Sequence, residues 1–248
     1  QRLKTWDSEW KKYVPSDRIT PKPWPIKGDK FTKQLECLLA VDESLGRVLA
    51  TLEEMGELDN TVIIYSSDNG YFMGEHGFWD KRIAYENSMK IPMLIRYPKM
   101  INPGTVIDKI ALNIDLAPTI LELAGVEKPA YMQGESMVKL FDKKDGGKNW
   151  RKSFMFEYYV DDEYPYAGPN MLAIRTERYK LVDNFIENDI DELYDLKNDP
   201  GEMTNLINNT KFDAVEKELR KELEKLKIKY KYNPDRDWWL RTQLTSRN

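Results

Sequence analysis

Apolar positions at Phe31, Leu35, Leu38, Leu39, Leu45, Val48, Leu49 and Leu52 recur at intervals of three and four. That spacing predicts an amphipathic helix over 31–55, ended by Gly56, with Lys33, Asp42, Glu43 and Arg47 on its solvated side. The period then disappears. Thr61-Val62-Ile63-Ile64-Tyr65 is a continuous apolar run between Asp59-Asn60 and Ser66-Ser67-Asp68-Asn69-Gly70. Such a run between turn residues is expected as a strand buried on both faces, as in a parallel sheet, with the preceding helix covering one sheet face. Residues 90–97 read as a second buried strand, with Pro92 near its start, where a missing N–H is tolerated. A turn over 100–104 and a short strand over 106–110 follow. Asp115 is placed as the cap of a helix running through Leu123, with Pro118 in its first turn and Gly125 at its C-terminal end.

The pattern changes again after Lys143-Lys144-Asp145-Gly146-Gly147-Lys148, a polar, glycine-rich stretch that marks a boundary. Residues 154–159, 171–175, 179–183 and 191–195 read as four closely spaced strands, hence an antiparallel sheet. Phe212, Val215, Leu219, Leu223 and Leu226 form one face of a charged helix over 211–229, whose Glu and Lys residues are read as a solvated face. The tail carries Trp238-Trp239 and is expected to pack back onto the body. Residues 1–30 hold four prolines and three tryptophans without a sustained period and are read as an ordered, aromatic-anchored loop. The division is thus 1–148, an α/β domain, and 149–248, a smaller subdomain of antiparallel sheet, helix and tail.

Composition narrows the class. Of 248 residues, 41% are hydrophobic and 32% charged, which is globular, and the formal charge of −4 with no basic block gives no reason to expect nucleic acid. No run of 18 apolar residues occurs, so no membrane-spanning helix is expected. One cysteine, Cys37, excludes an internal disulfide, and a lone sequon stands at Asn208-Asn209-Thr210.

The candidate chemistry lies just past the first predicted strand, where open α/β sheets bind ligands. Asp68 and Asn69 offer a carboxylate and an amide carbonyl, the hard oxygen donors that Ca²⁺ or Mg²⁺ prefers. Gly70 permits a sharp turn, although Asp-Asn-Gly by itself is also an ordinary turn. His76 is the only histidine, so a zinc site built on it is improbable. Lys81 and Arg82 read either as an anion grip or as a solvated helix start.

Taken together, the run Ser67-Asp68-Asn69-Gly70-Tyr71-Phe72-Met73-Gly74-Glu75-His76-Gly77-Phe78-Trp79-Asp80-Lys81-Arg82-Ile83-Ala84-Tyr85-Glu86 closely resembles the sulfatase family of the alkaline-phosphatase-like superfamily. So do residues 113–125 (NIDLAPTILELAG), residues 174–181 (IRTERYKL) and the Glu192-Leu193-Tyr194-Asp195-Leu196, Asp199-Pro200, Glu202 and Asn205-Leu206 pattern. The resemblance runs from about Phe31 to Leu226. It implies an alkaline-phosphatase-like α/β sandwich, a mostly parallel sheet flanked by helices and incomplete here, followed by the small C-terminal subdomain. It also implies a sulfuric ester hydrolase acting on sulfated carbohydrates or other sulfated small molecules. By the family pattern Asp68 and Asn69 ligate the cation, usually Ca²⁺ with Mg²⁺ as the other candidate. Lys81 contacts the sulfate or its bridging oxygen as the catalytic cation, and His76 and Arg82 recognise sugar or sulfate. Tyr71, Trp79 and Asp80 either line the same rim or serve packing and capping.

One departure matters. The family's Cys/Ser-x-Pro-x-Arg motif, source of the formylglycine nucleophile, does not occur in these residues, and Cys37 has no Pro or Arg after it. The resemblance therefore implies the C-terminal half of a sulfatase. The formylglycine and the remaining aspartate ligands would lie in a missing N-terminal half, its expected partner, and this chain alone would be inactive. A periplasmic or secreted location goes with the family. The alternatives are a phosphodiesterase or phosphonate monoester hydrolase of the same superfamily, which Asp-Asn rather than Asp-His disfavours, and a non-catalytic sulfatase-like remnant.

Overall fold

A helix of 27 residues, α1 (Gly28–Glu54), takes up the first strong period of the sequence, and Gly56 follows it in the left-handed conformation that ends helices. The computed structural model describes residues 4–7, 12–15, 28–141, 147–159, 170–184 and 190–233. Before α1 lie β1 (Lys4–Asp7) and β2 (Lys12–Pro15). After it come β3 (Ile63–Ser66), β4 (Phe72–Met73), β5 (Trp79–Asp80), α2 (Glu86–Met89), β6 (Met93–Arg96), α3 (Leu116–Leu123) and α4 (Val138–Phe141). The chain continues through β7 (Ser153–Tyr158), β8 (Met171–Thr176), β9 (Tyr179–Asn184) and β10 (Glu192–Asp195) to α5 (Asp213–Lys229). These elements gather into two compact units, one of Pro23–Asp68 with Ile91–Trp150, the other of Gln1–Lys22, Asn69–Lys90 and Arg151–Asn248.

In the unit of 23–68 and 91–150, β3 pairs antiparallel with β6, from Ile63 opposite Arg96 to Ser66 opposite Met93. The expected doubly buried strand is instead half-buried along its length, and Leu94 of β6 is 65% exposed. Burial on both faces needs neighbouring strands and a covering layer on each side, and β3 has one hydrogen-bonded neighbour among the described residues. For the same reason α1 covers no sheet face within the described residues: Leu45, Leu49 and Leu52 are half-buried, while Leu35, Leu38, Leu39 and Val48 stay exposed. Residues 106–110 form no strand with any of the described residues; Val106 is 82% exposed and the Ile110 carbonyl accepts from Trp150 Nε1 at 2.7 Å. The core of this unit joins Met137, Leu140, Phe141 and Trp150, with Met93, Ile95 and Leu116 against them.

Asp115 precedes α3 as expected, yet its carboxylate does not cap that helix. It turns back, accepting from the Leu112 N–H at 2.8 Å and from the Glu135 N–H at 2.9 Å, and is wholly buried. Thr119 continues the staple: its hydroxyl donates to the Asp115 carbonyl at 2.6 Å and accepts from the Met137 N–H at 2.8 Å. A buried side-chain acceptor that satisfies two backbone donors from different loops outweighs a cap on the helix's own first turn.

The other unit is built on a four-stranded antiparallel sheet in the order β10-β9-β8-β7. Alternation along its strands sorts two faces. Ile174, Leu181 and Leu193 meet Leu219, Leu223 and Leu226 of α5. Met171, Ala173, Val182 and Tyr194 meet Phe72, Phe78, Ile83, Ala84 and Tyr85 from the segment 69–90. The segment carrying the candidate chemistry thus supplies one of the two layers over this sheet. β1 and β2 pair as an antiparallel hairpin where the sequence reads as an irregular loop; strands of four residues are too short to display a period. Residues 143–146 of the expected boundary stretch 143–148 and the Trp238-Trp239 tail lie outside the described residues.

Candidate functional site

The strand β3 is followed by Ser67 and Asp68, both exposed, and the Ser67 hydroxyl lies 3.4 Å from the Asp68 carboxylate. The next residue, Asn69, is half-buried and donates from its amide nitrogen to the Gly70 carbonyl at 2.7 Å. Gly70 is required by close approach: its N–H donates to the Ser88 carbonyl at 2.8 Å, and a Cβ there would stand 2.1 Å from the Asn87 carbonyl oxygen. The two ends of the segment are therefore held together at Gly70 and Ser88.

Between these ends β4 and β5 form a minimal hairpin, Phe72 opposite Asp80 and Met73 opposite Trp79. Its tip needs tight backbone. Gly74 and Gly77 take positive φ, and so does His76 at 54°. Asp80 at 79° and Arg82 at 94° do the same, which places three non-glycine residues of the stretch 76–82 in a sparsely populated region. Such conformations persist only where the surroundings over-determine them, and they concentrate at functional sites. The surroundings are visible here. Arg82 pairs with Asp80, its N–H donates to the Ser88 hydroxyl at 3.1 Å, and Lys81 between them is exposed.

His76 is drawn inward. Its ring centroid lies 4.4 Å from that of Tyr85 and 6.2 Å, edge-on, from Phe72. Its Nδ1 is enclosed without a hydrogen-bond partner. Burial lowers its pKa below the ordinary value, against the opposing pull of the Glu192 charge and a backbone hydrogen bond at Gly201. The Tyr85 hydroxyl meets that of Tyr194 at 3.2 Å, which in turn donates to Glu192 at 2.8 Å; burial first, then the Glu192 charge, raises both phenols far above their usual range.

The sequence-predicted residues thus fall into two groups. His76, Lys81 and Arg82 belong to one anchored segment, whereas Asp68 and Asn69 are consecutive residues where the chain leaves one compact unit for the other. A carboxylate and an amide carbonyl in succession fit part of a hard cation's shell, which takes about six to eight oxygens. Among the described residues no group of three or more His, Cys, Asp or Glu is arranged to hold a metal ion. Glu86, Lys180 and Glu202, which meet under the segment, enter the sequence reading only as members of family-like runs, because their pairing spans too much chain for local pattern to reveal.

The family described as N-sulphoglucosamine sulphohydrolase, C-terminal, matches residues 74–229, and the family described as sulfatase matches residues 4–126. An N-acetylglucosamine-6-O-sulfatase of Bacteroides thetaiotaomicron is 44% identical over 209 residues, 81% of this chain and 36% of that protein. An arylsulfatase of Clostridium perfringens is 32% identical over 191 residues, 74% of this chain and 38% of that protein. Among solved structures, one of a protein in complex with its substrate D-glucosamine-2-N,6-O-disulfate superposes with a TM-score of 0.75 at 42% identity, over 79% of this chain and 40% of that one. A phosphonate monoester hydrolase from Silicibacter pomeroyi gives a TM-score of 0.68 at 27% identity, over 77% of this chain and 39% of that one. The chain therefore spans well under half the length of these relatives.

Proposed function

We propose, because this chain belongs to the sulfatase family, that it is part of an enzyme hydrolysing sulfuric esters of carbohydrates, with 6-sulfated glucosamine units as the substrate class. The observation that carries this reading is the anchored 69–90 segment. It presents exposed Lys81 beside Arg82, on strained backbone, within residues 74–229 that match the N-sulphoglucosamine sulphohydrolase C-terminal family.

In this reading Lys81 places a compact ammonium with three donors against the sulfate or its bridging oxygen, where negative charge grows as the S–O bond breaks. Arg82 and His76 recognise sulfate or sugar. The Asp80 carboxylate orients the Arg82 guanidinium, and the Ser88 hydroxyl holds its backbone. Asp68 and Asn69 would hold a hard cation, Ca²⁺ in preference to Mg²⁺, which when bound supplies fixed positive charge for the sulfate oxygens. The nucleophile, a formylglycine, and the remaining ligands come from residues outside this chain, so the 248 residues alone turn over no sulfate ester. An exported enzyme, periplasmic or secreted, accompanies this reading. No helix among the described residues is long and apolar enough to cross a membrane.

The test is sulfate release from glucosamine 6-sulfate by the complete protein, with and without chelator. Chelator-sensitive release supports the reading. Faster turnover of a phosphonate monoester than of any sulfate ester would move the protein to the activity of its phosphonate-hydrolysing neighbours.

A further inference from the structure

Two stretches take no part in the chemistry above, Arg175–Lys180 and Asp199–Glu202, and both end in one buried cluster. In the second, the Asp199 carboxylate accepts from the N–H groups of Met203 at 3.1 Å and Thr204 at 2.7 Å, while Glu202 N–H donates to the Asp199 carbonyl at 3.1 Å. This turn holds Glu202 at a φ of 54° and drives its carboxylate into the interior. There Glu202 Oε2 accepts from the Glu86 N–H at 2.7 Å, and Oε1 pairs with the ammonium of Lys180, which is 0% exposed. Lys180 Nζ also lies 3.5 Å from Glu86 Oε1, and Arg175 Nη2 lies 3.2 Å from Glu86 Oε2.

Two cations and two carboxylates balance in charge, yet burying them earns little stability over an apolar filling of the same shape. What such a cluster provides is a unique geometry, because any shift of one member leaves another buried and unpaired. The member it fixes is Glu86. Tyr85, directly before it, is the ring under His76, and Ser88, two residues on, holds the Arg82 N–H.

We infer that Lys180 and Glu202 are positioning residues that clamp Glu86 and thereby fix His76, Lys81 and Arg82 for the reaction. The functional half of this inference rests on the sulfatase reading; the structural half does not.

The experiment uses the 248-residue chain with Glu202→Ala, Glu202→Gln and the exchanged pair Lys180→Glu/Glu202→Lys, reading amide hydrogen exchange by segment. His76, the only histidine, gives a single ring resonance to titrate. The expected result for Glu202→Ala is exchange in 74–88 accelerated by about tenfold, with β8 and α5 within about twofold. The His76 midpoint should rise toward the ordinary value of about 6.5. Loss of a nearby negative charge alone would move it down, so a rise reports a loosened segment. The exchanged pair should restore more protection than Lys180→Glu alone. Uniform acceleration across β8, α5 and 74–88, or no change in 74–88, overturns the inference. If Glu202→Ala does not fold, Glu202→Gln, which keeps an oxygen for the Glu86 N–H, carries the same reading with a smaller effect. In the complete enzyme Glu202→Gln should lower kcat for sulfate-ester hydrolysis by about tenfold with less change in KM. Unsubstituted enzyme without sulfatase activity refutes the functional reading while leaving the exchange result standing, whereas full activity in Glu202→Gln refutes the clamp's part in turnover.

Discussion

The His76 and Tyr85 rings, tilted by 46°, bring their centroids to 4.4 Å, and the His76 Nδ1 is enclosed without a hydrogen-bond partner. The groups facing it are Glu192 and Asp199, which favour the imidazolium, and Lys180, which opposes it; burial prevails and the folded pKa is lowered. A histidine whose folded pKa is depressed binds fewer protons folded than unfolded. Its favourable contribution is complete above the unfolded value of about 6.5 and is lost as pH falls from there through the folded value. The urea midpoint should therefore decrease between pH 7.5 and 5.5, and His76→Phe should flatten that part of the profile. Identical profiles for the two proteins would show that His76 does not titrate in this range.

Gly70 and Gly46 make a matched pair. A methyl group at Gly70 meets the Asn87 carbonyl oxygen at 2.1 Å and its carbon at 2.9 Å, both backbone, whereas at Gly46 in α1 it meets nothing within 4 Å. Gly70→Ala should cost about 2–3 kcal/mol in chemical denaturation. Gly46→Ala should stabilise α1 by roughly 0.5–1 kcal/mol. Equal effects at the two sites would contradict the close approach.

Asp115, itself wholly buried, serves two backbone donors, Leu112 N–H and Glu135 N–H. Asp115→Ala strands both, and a loss of about 2–4 kcal/mol is expected from calorimetry or urea titration. Asp115→Asn, with one carbonyl oxygen left, should fall between. A wild-type midpoint for Asp115→Ala would mean that water replaces the carboxylate without cost.

Lys81 is exposed, so its removal should leave the melting temperature unchanged. Lys81→Ala in the complete enzyme should lower kcat/KM for a sulfate ester by roughly 10²-fold, and Lys81→Arg should recover part of it. Unaltered kinetics would remove Lys81 from the site.

What the sequence discloses depends on how local the deciding contact is. The face Leu219, Leu223, Leu226 announces α5 by its spacing, and it packs where that spacing points. The strands β7 to β10 are likewise legible, because each pairs with its neighbour in sequence. The direction of β3 is not. A continuous apolar run is the same text for a parallel and an antiparallel strand, and its partner β6 decides. Among site residues, the resemblance places Lys81, Arg82 and His76 on one segment, and the fold keeps them there. Lys180 could not be recognised, since a lysine in a short strand looks solvated. Its burial depends on Glu86, 94 residues earlier, and on the turn at Glu202.

The hydrogen bond from Glu86 to Glu202 joins residues 116 positions apart. A ribosome adding about 5–20 residues each second would therefore leave the Lys81–Arg82 stretch without its support for roughly 6–23 s. During that interval Phe72, Phe78 and Tyr85, all buried in the finished protein, have no sheet to cover. A chain interrupted before β8 would carry the 69–90 segment without Arg175, Lys180 and Glu202, and with an aromatic surface open to aggregation. The order of synthesis thus makes the last third of the sequence the condition for an ordered 69–90 segment.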